Sequence, residues 1–225
     1  MEPQTSENCV FIVDDDEGVC KALDVLLDSV GIQTETFSSA QAFMDNYAGG
    51  NGCLLLDIRM PQISGFELFG WVRENYPELP VIFLTGHGDH DLARRALKNG
   101  AADFLGKNCN DQELIEVVQR ALQSNLEAQQ ARQQRRAVQE RLSTLTARES
   151  EVARLLCDGL PTKTIAWKLN MSNKTVDVHR SNLLRKMEAR SPAELTKMVM
   201  LLGANMDTAS ETILDQVFAM PDSDD

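Results

Sequence analysis

The chain has 225 residues, 43% hydrophobic and 25% charged with a net charge of −12, which is ordinary for a globular protein of one or two domains. No apolar run approaches the ~20 residues that span a bilayer, and the opening "MEPQTSENC" lacks a basic stretch leading into an apolar one, so no membrane association and a cytoplasmic location are expected. The five cysteines (Cys9, Cys20, Cys53, Cys109, Cys157) are scattered without a CxxC pair, which argues for reduced thiols and against a zinc knuckle or a disulfide framework.

Five short apolar runs follow in chain order: "CVFIVDD" (9–15), "TETFSS" (34–39), "CLLLDI" (53–58), "PVIFLTG" (80–86) and "DFLGK" (103–107). Helical patterns lie between them, over 17–30, 40–47, 65–75, 90–99 and from 111 onward, punctuated by Gly31, Gly49-Gly50, Gly65, Gly88 and Gly100. Five rounds of strand and helix predict an α/β domain, with a parallel sheet covered on both faces.

From Asp111 to about Leu142 there is neither glycine nor proline, and Gln, Ala, Arg and Glu dominate. Leu114, Ile115, Val118, Leu122 and Leu126 keep a helical spacing, after which the apolar stripe fades. One helix of ~30 residues, reaching ~45 Å, is expected. Its part over 123–142 would serve as a semi-rigid spacer and a candidate dimer seam.

In "TARESEVARLLCDG", Thr146 and Glu149 form a capping box and Gly159 a stop. A short helix over 162–169, the turn "NMS" and a longer helix from Asn173 to about Met187 follow. Ser191, Pro192 and Glu194 open a last helix that ends at Gly203. Four helices over 143–203, two of them joined by a tight turn, predict a helix-turn-helix. Residues 204–225 are acidic with a weak apolar core (Ile213, Leu214, Val217, Phe218) and are expected to be disordered.

The strand ends carry the chemistry. An open parallel sheet binds ligands outside the carboxyl ends of its strands. Those ends carry Asp14 and Asp15, Asp57, Thr85 and Lys107. Three carboxylates there suit Mg²⁺, which would also relieve the repulsion built into the "DDDE" stretch. Attack by Asp57 on a phosphoryl group fits this set, with Mg²⁺ and Lys107 neutralising the phosphoryl oxygens and Thr85 hydrogen-bonding one of them. His87 and His90 have no carboxylate or cysteine at ligand spacing and read as loop and cap residues.

The stretches "VDDDEGV", "LLLDIRMPQISG", "IFLTGHGD" and "GAADFLGK" resemble the receiver domain of two-component response regulators over residues 8–122. The resemblance implies strand order 2-1-3-4-5 and phosphorylation of Asp57 by a sensor histidine kinase. It also implies Mg²⁺ (or Mn²⁺) held by Asp14, Asp15, Asp57 and the Arg59 carbonyl, with Thr85 and Phe104 as the switch pair. Asp16 and Glu17 match no binding position and fall to the start of the first helix. One departure stands out. Receiver domains usually follow the lysine with a proline, and that bond is usually cis, whereas here it is Lys107-Asn108. A cis bond without proline costs ~2.5–4 kcal/mol, so either that strain is held or the bond is trans.

Residues 143–203 hold 10 Lys and Arg against 6 Asp and Glu, while residues 1–125 hold 8 against 20. Two domains with different partners are expected. The stretches "LTARESEVARLL", "KTIAWKLNMSNKTVDVHRSNLLRKM" and "ARSPAEL" resemble the LuxR/NarL-type helix-turn-helix, nearest the FixJ-like branch. The resemblance implies promoter DNA bound by the helix starting near Asn173. Val176, Leu183, Leu184 and Met187 make that helix's core stripe. Lys174, Asp177, Val178, Ser181 and Arg185 point elsewhere, as a recognition face would. Lys163, Thr175, His179, Arg180 and Lys186 complete the expected DNA contacts, and Trp167 is expected as a packing anchor.

The reading is a response-regulator transcription factor and not an enzyme: phosphorylated on Asp57, dimerising, binding DNA and acting with RNA polymerase. A DNA-binding regulator whose receiver is vestigial, controlled by partners or redox, is the alternative that Asn108 leaves open. A phosphohydrolase of the haloacid-dehalogenase type would need an acid two residues after Asp57, where Arg59 stands.

Overall fold

The computed structural model describes residues 8–86, 90–203 and 218, and nothing of the side chains of His90, Asp91 and Gly203. The expectations for His87 and His90, and for the tail apart from Phe218, lie outside what is described. Among the described residues no helix is long and apolar enough to cross a membrane. The chain divides into two compact units between Gln130 and Ala131.

The front unit alternates strand and helix: β1 (Cys9–Val13), α1 (Glu17–Asp28), β2 (Gln33–Phe37), α2 (Ala40–Asn46), β3 (Gly52–Asp57), α3 (Gly65–Asn75), β4 (Val81–Thr85), α4 (His90–Lys98), β5 (Asp103–Gly106) and α5 (Asp111–Ser143). All strand pairs are parallel, in the order β2-β1-β3-β4-β5. Every residue of β3 is buried, because helices cover both faces of the sheet and leave no side for polar residues.

Alternate strand residues feed two cores. Phe11, Val13, Leu54, Leu56, Val81 and Phe83 face α2, α3 and α4. Val10, Ile12, Leu55, Ile82, Leu84 and Leu105 face α1 and the first turns of α5. The apolar stripe of α5 is interrupted at Asn125, which is 1% exposed. Its Oδ1 accepts from Gly52 N (2.9 Å) and its Nδ2 donates to Glu78 O (2.7 Å). A buried amide with both ends satisfied ties α5 to the base of the sheet.

In the rear unit the final residues of α5 are followed by α6 (Ala147–Cys157), α7 (Thr162–Lys168), α8 (Asn173–Lys186) and α9 (Pro192–Gly203). Thr146 and Glu149 close the expected capping box. Gly159, Asn170 and Glu188 take left-handed backbone after α6, α7 and α8. Each is followed by an amide that reaches back over the helix end: Leu160 to Leu155, Met171 to Ala166 and Ala189 to Leu184. Val152, Ile165, Val176, Leu183, Met187 and Val199 form the core. Trp167 is not a packing anchor; it is 81% exposed. Ile165 and Ala166 take the inward face of α7, and two residues beyond Ile165 the helix has turned by about 200°.

Candidate functional site

Asp14 follows β1, Asp57 ends β3, Thr85 ends β4 and Lys107 follows β5. β1 and β3 are neighbours although β2 lies between them in sequence, so the strand order reverses between them, where such sheets hold ligands. Val13 is in register with Leu56, which sets Asp14 level with Asp57.

Asp14 is 1% and Asp57 5% exposed, and a buried carboxylate needs a counter-charge. Lys107 supplies it to both: its Nζ lies 2.6 Å from Asp14 Oδ2 and 3.0 Å from Asp57 Oδ1. The other oxygens are held by backbone, Asp14 Oδ1 by Asp16 N and Asp57 Oδ2 by Arg59 N, each at 3.0 Å. Burial pushes the Asp14 carboxyl above its usual range, with Asp57 adding to the push, although Lys107 and the Asp16 amide pull against it. Burial alone would lower the Lys107 ammonium, yet its hydrogen bonds and charge contacts to the two carboxylates leave it raised.

Asp15 is exposed at the rim. Asp16 caps α1 instead, accepting from the amides of Gly18 and Val19, so the four acids in a row divide between a pocket and a helix start. Carboxylate oxygens of Asp14, Asp15 and Asp57 all come within 4.8 Å of one another. Asp14 Oδ2 is fully buried, and the partner it has is the Lys107 ammonium. A compact set of hard oxygen donors from three carboxylates, two buried and one open to water, fits Mg²⁺ or Mn²⁺.

Two features around Asp57 are new. Gly65 opens α3, where a Cβ would stand 2.1 Å from the Asp57 carbonyl oxygen and 2.9 Å from Ile58 Cα. Only glycine lets the helix start lie this close to the phosphoacceptor candidate's backbone. The sequence marked Gly65 as punctuation alone. The second is the Lys107-Asn108 bond, which is trans, there being no cis bond among the described residues. Lys107 still reaches both carboxylates, and its amide donates to the Thr85 carbonyl at 2.6 Å.

Thr85 is 4% exposed and alternates onto the same face as Phe83. The rings of Phe66 and Phe83 stack at 5.0 Å, and Phe104, half-buried on β5, lies 6.4 Å from Phe83. An aromatic row thus runs from α3 across the sheet to β5, with the Arg95 guanidinium over Phe66.

On α8, Lys174, Asp177, Val178, Ser181 and Arg185 are all exposed. They recur at helical spacing on the side opposite buried Val176 and Leu183. Val178 is 53% exposed, unusual for a β-branched residue. Thr175 lies at the helix start, its amide and hydroxyl both bonded to Ser172, while His179 and Arg180 are half-buried. Lys163 is exposed on α7. Lys186 departs from the expectation of a DNA contact. Its ammonium donates to Thr144 O (2.9 Å) and to Oε2 of buried Glu149 (2.6 Å), so its charge is committed within the domain.

Comparison with known families and structures agrees with both halves. The "Response regulator receiver domain" family matches residues 10–119, and "Bacterial regulatory proteins, luxR family" matches 143–199. The chain is 41% identical to the transcriptional regulatory protein FixJ of Azorhizobium caulinodans, over 90% of this chain and 97% of that one. It is 35% identical to the response regulator protein TodT of Pseudomonas putida, over 84% of each. The solved structure of the response regulator StyR superposes with a TM-score of 0.80 at 39% identity, covering 86% of this chain and 98% of that one. The chain belongs to the response regulators that join a receiver domain to a LuxR-type helix-turn-helix DNA-binding domain, and it is a transcriptional regulator of that family.

Proposed function

We propose that Asp57 accepts a phosphoryl group from a sensor histidine kinase and that this switches the DNA-binding domain through dimerisation. An Asp57 oxygen attacks phosphorus as the bond to the kinase histidine breaks, leaving an acyl phosphate on Asp57. Asp14, Asp15, Asp57 and the Arg59 carbonyl would hold Mg²⁺ or Mn²⁺, whose positive charge offsets that of the phosphoryl oxygens. Lys107 follows the new oxygens away from Asp14, and the Thr85 hydroxyl donates to one of them. The Thr85 end of β4 is drawn toward the phosphate, and Phe104 moves with it along the aromatic row. The remodelled face pairs two copies, whose α8 helices then read paired half-sites in a promoter and act with RNA polymerase.

The observation that carries this reading is the Lys107 ammonium shared between Asp14 and Asp57 across the switch point. Asn108 favours a vestigial receiver only if it displaces Lys107, and across a trans bond Lys107 still reaches both acids. The test is molecular mass by light scattering with Mg²⁺, with and without beryllofluoride, which mimics an aspartyl phosphate. A doubling of mass that Asp57→Ala abolishes is expected. Beryllofluoride bound with no change in mass would refute the dimerisation step, and no binding would refute the phosphoacceptor assignment.

A further inference from the structure

Residues 204–225 carry six acids and no base, and the luxR-family match ends at residue 199. Phe218 is half-buried and packed against the core of the rear unit, the cluster that holds Val152, Ile165, Leu183 and Val199. This one residue of the acidic stretch therefore lies against the DNA-binding domain. An aromatic side chain packed on that core is a point of attachment for the chain on either side of it.

The acids flank this anchor. Glu211 and Asp215 precede Phe218, and Asp222, Asp224 and Asp225 follow it. The surface they would meet is basic, with Lys163, Lys168, Lys174 and Arg185 exposed on α7 and α8. Reach is no obstacle. The seven residues after Phe218 extend up to ~24 Å, against roughly 25–30 Å for the width of a domain of this size. Fourteen residues lie between Gly203 and Phe218, enough for the chain to arrive on any side.

We infer that the acidic C-terminal segment, anchored by Phe218, docks on the basic face of its own DNA-binding domain and competes with DNA for it. The inference rests on the proposed use of that face for DNA. Its carboxylates offer the α7–α8 cations an intramolecular substitute for phosphates. The local concentration is set by a short tether, high enough for weak contacts to matter. Such competition acts on electrostatic binding, so it weakens as salt rises.

The test is binding of the full chain to a fluorescently labelled 30-base-pair duplex of arbitrary sequence, read by anisotropy between 50 and 300 mM salt. One variant neutralises the six acids (D207N, E211Q, D215N, D222N, D224N, D225N) and keeps Phe218. A second, Phe218→Ala, keeps every charge but removes the anchor, and Phe218→Tyr controls for folding. The neutralised chain is expected to bind on the order of tenfold tighter at 50 mM salt, the gap closing by 300 mM. Phe218→Ala should reproduce most of that gain and Phe218→Tyr none. Equal binding by the neutralised and natural chains overturns the inference and leaves the DNA reading intact. A gain on neutralisation without one in Phe218→Ala overturns the docking, since unanchored charge would then suffice. Failure of every version to bind the duplex removes the DNA reading and the inference with it.

Discussion

Lys107 Nζ stands 3.0 Å from Asp57 Oδ1, although Asn108 follows it where the family's pattern has proline. The same ammonium also neutralises Asp14. Without it, two buried carboxylates would face each other with no cation between them. Lys107→Met is therefore expected to destabilise the protein in EDTA by about 2–3 kcal/mol, at the low end for a broken buried pair because Lys107 is itself partly open to water. Mg²⁺ should restore more stability in this variant than in the natural chain, by binding only the folded state. Melting curves with EDTA and with Mg²⁺ check both. An equal gain from Mg²⁺ in the two proteins would separate the cation site from Lys107.

Gly65→Ala puts a methyl 2.1 Å from the Asp57 carbonyl oxygen. Backbone cannot yield as a flexible side chain would, so α3 must move away from the end of β3. A loss of about 1–3 kcal/mol is expected, as for other overpacked positions. The same shift should weaken Mg²⁺ binding, measured by calorimetry. Ala at Gly70, where a Cβ meets nothing within 4 Å, is the matched control and should be neutral or better.

The pair formed by Glu149 and Lys186 yields a prediction with a pH signature. Burial alone would raise the Glu149 carboxyl, but the Lys186 ammonium and the Thr146 amide and hydroxyl hold it below its usual range. A folded value below the unfolded one means that the pair adds stability above the ordinary carboxylate range. That contribution fades as pH falls through the folded value. Lys186→Met should cost about 2 kcal/mol near neutrality, discounted because Lys186 remains a quarter exposed. The difference from the natural chain should shrink steadily below about pH 5. Urea denaturation across pH checks this, and a constant difference would remove the ion pair as its cause.

On α8 the charged residues have separable roles. Lys174→Ala and Arg185→Ala are expected to weaken binding to all sequences alike and to flatten the salt dependence by about one unit each. Asp177 stands among them on the exposed stripe, where an acid accepts from a cytosine amine or excludes unsuitable bases. Asp177→Ala should leave the salt dependence nearly unchanged, tighten non-specific binding, and narrow the gap between preferred and other sequences. Selection of binding sites from a random pool with each protein measures that gap.

Much of this architecture is legible in the sequence. Apolar runs that stop at Asp14, Asp57, Thr85 and Lys107 locate one end of a parallel sheet, because only strand ends can place a charged residue after a fully buried run. The Thr146 and Glu149 box was likewise legible, as capping depends on residues three apart. What escaped was side-chain commitment between elements. Lys186 and Arg185 are adjacent and equally basic, yet one turns toward Glu149 on α6 and the other to solvent, and charge alone does not distinguish them. Asn125 was hidden for the opposite reason. It occupies a position of the α5 stripe three residues after Leu122, and its amide makes sense only once Gly52 and Glu78 are brought beside it. A lone Asn at an apolar phase was the available signal. Trp167 misled because a large aromatic is usually assigned to a core, while the phase of Ile165 and Ala166 already turned it outward.

That outward turn gives the protein a built-in optical label. It has two tryptophans, one in each unit. Trp71 is half-buried near the rings of Phe43 and Tyr76, and Trp167 stands in water on α7. Their emission should separate accordingly, blue-shifted and shielded for Trp71, red-shifted and open to a soluble quencher for Trp167. Exchanging either for phenylalanine leaves a single lamp in one half of the molecule. Events in the receiver and events on the DNA-binding domain can then be timed independently in the same chain, with no dye attached.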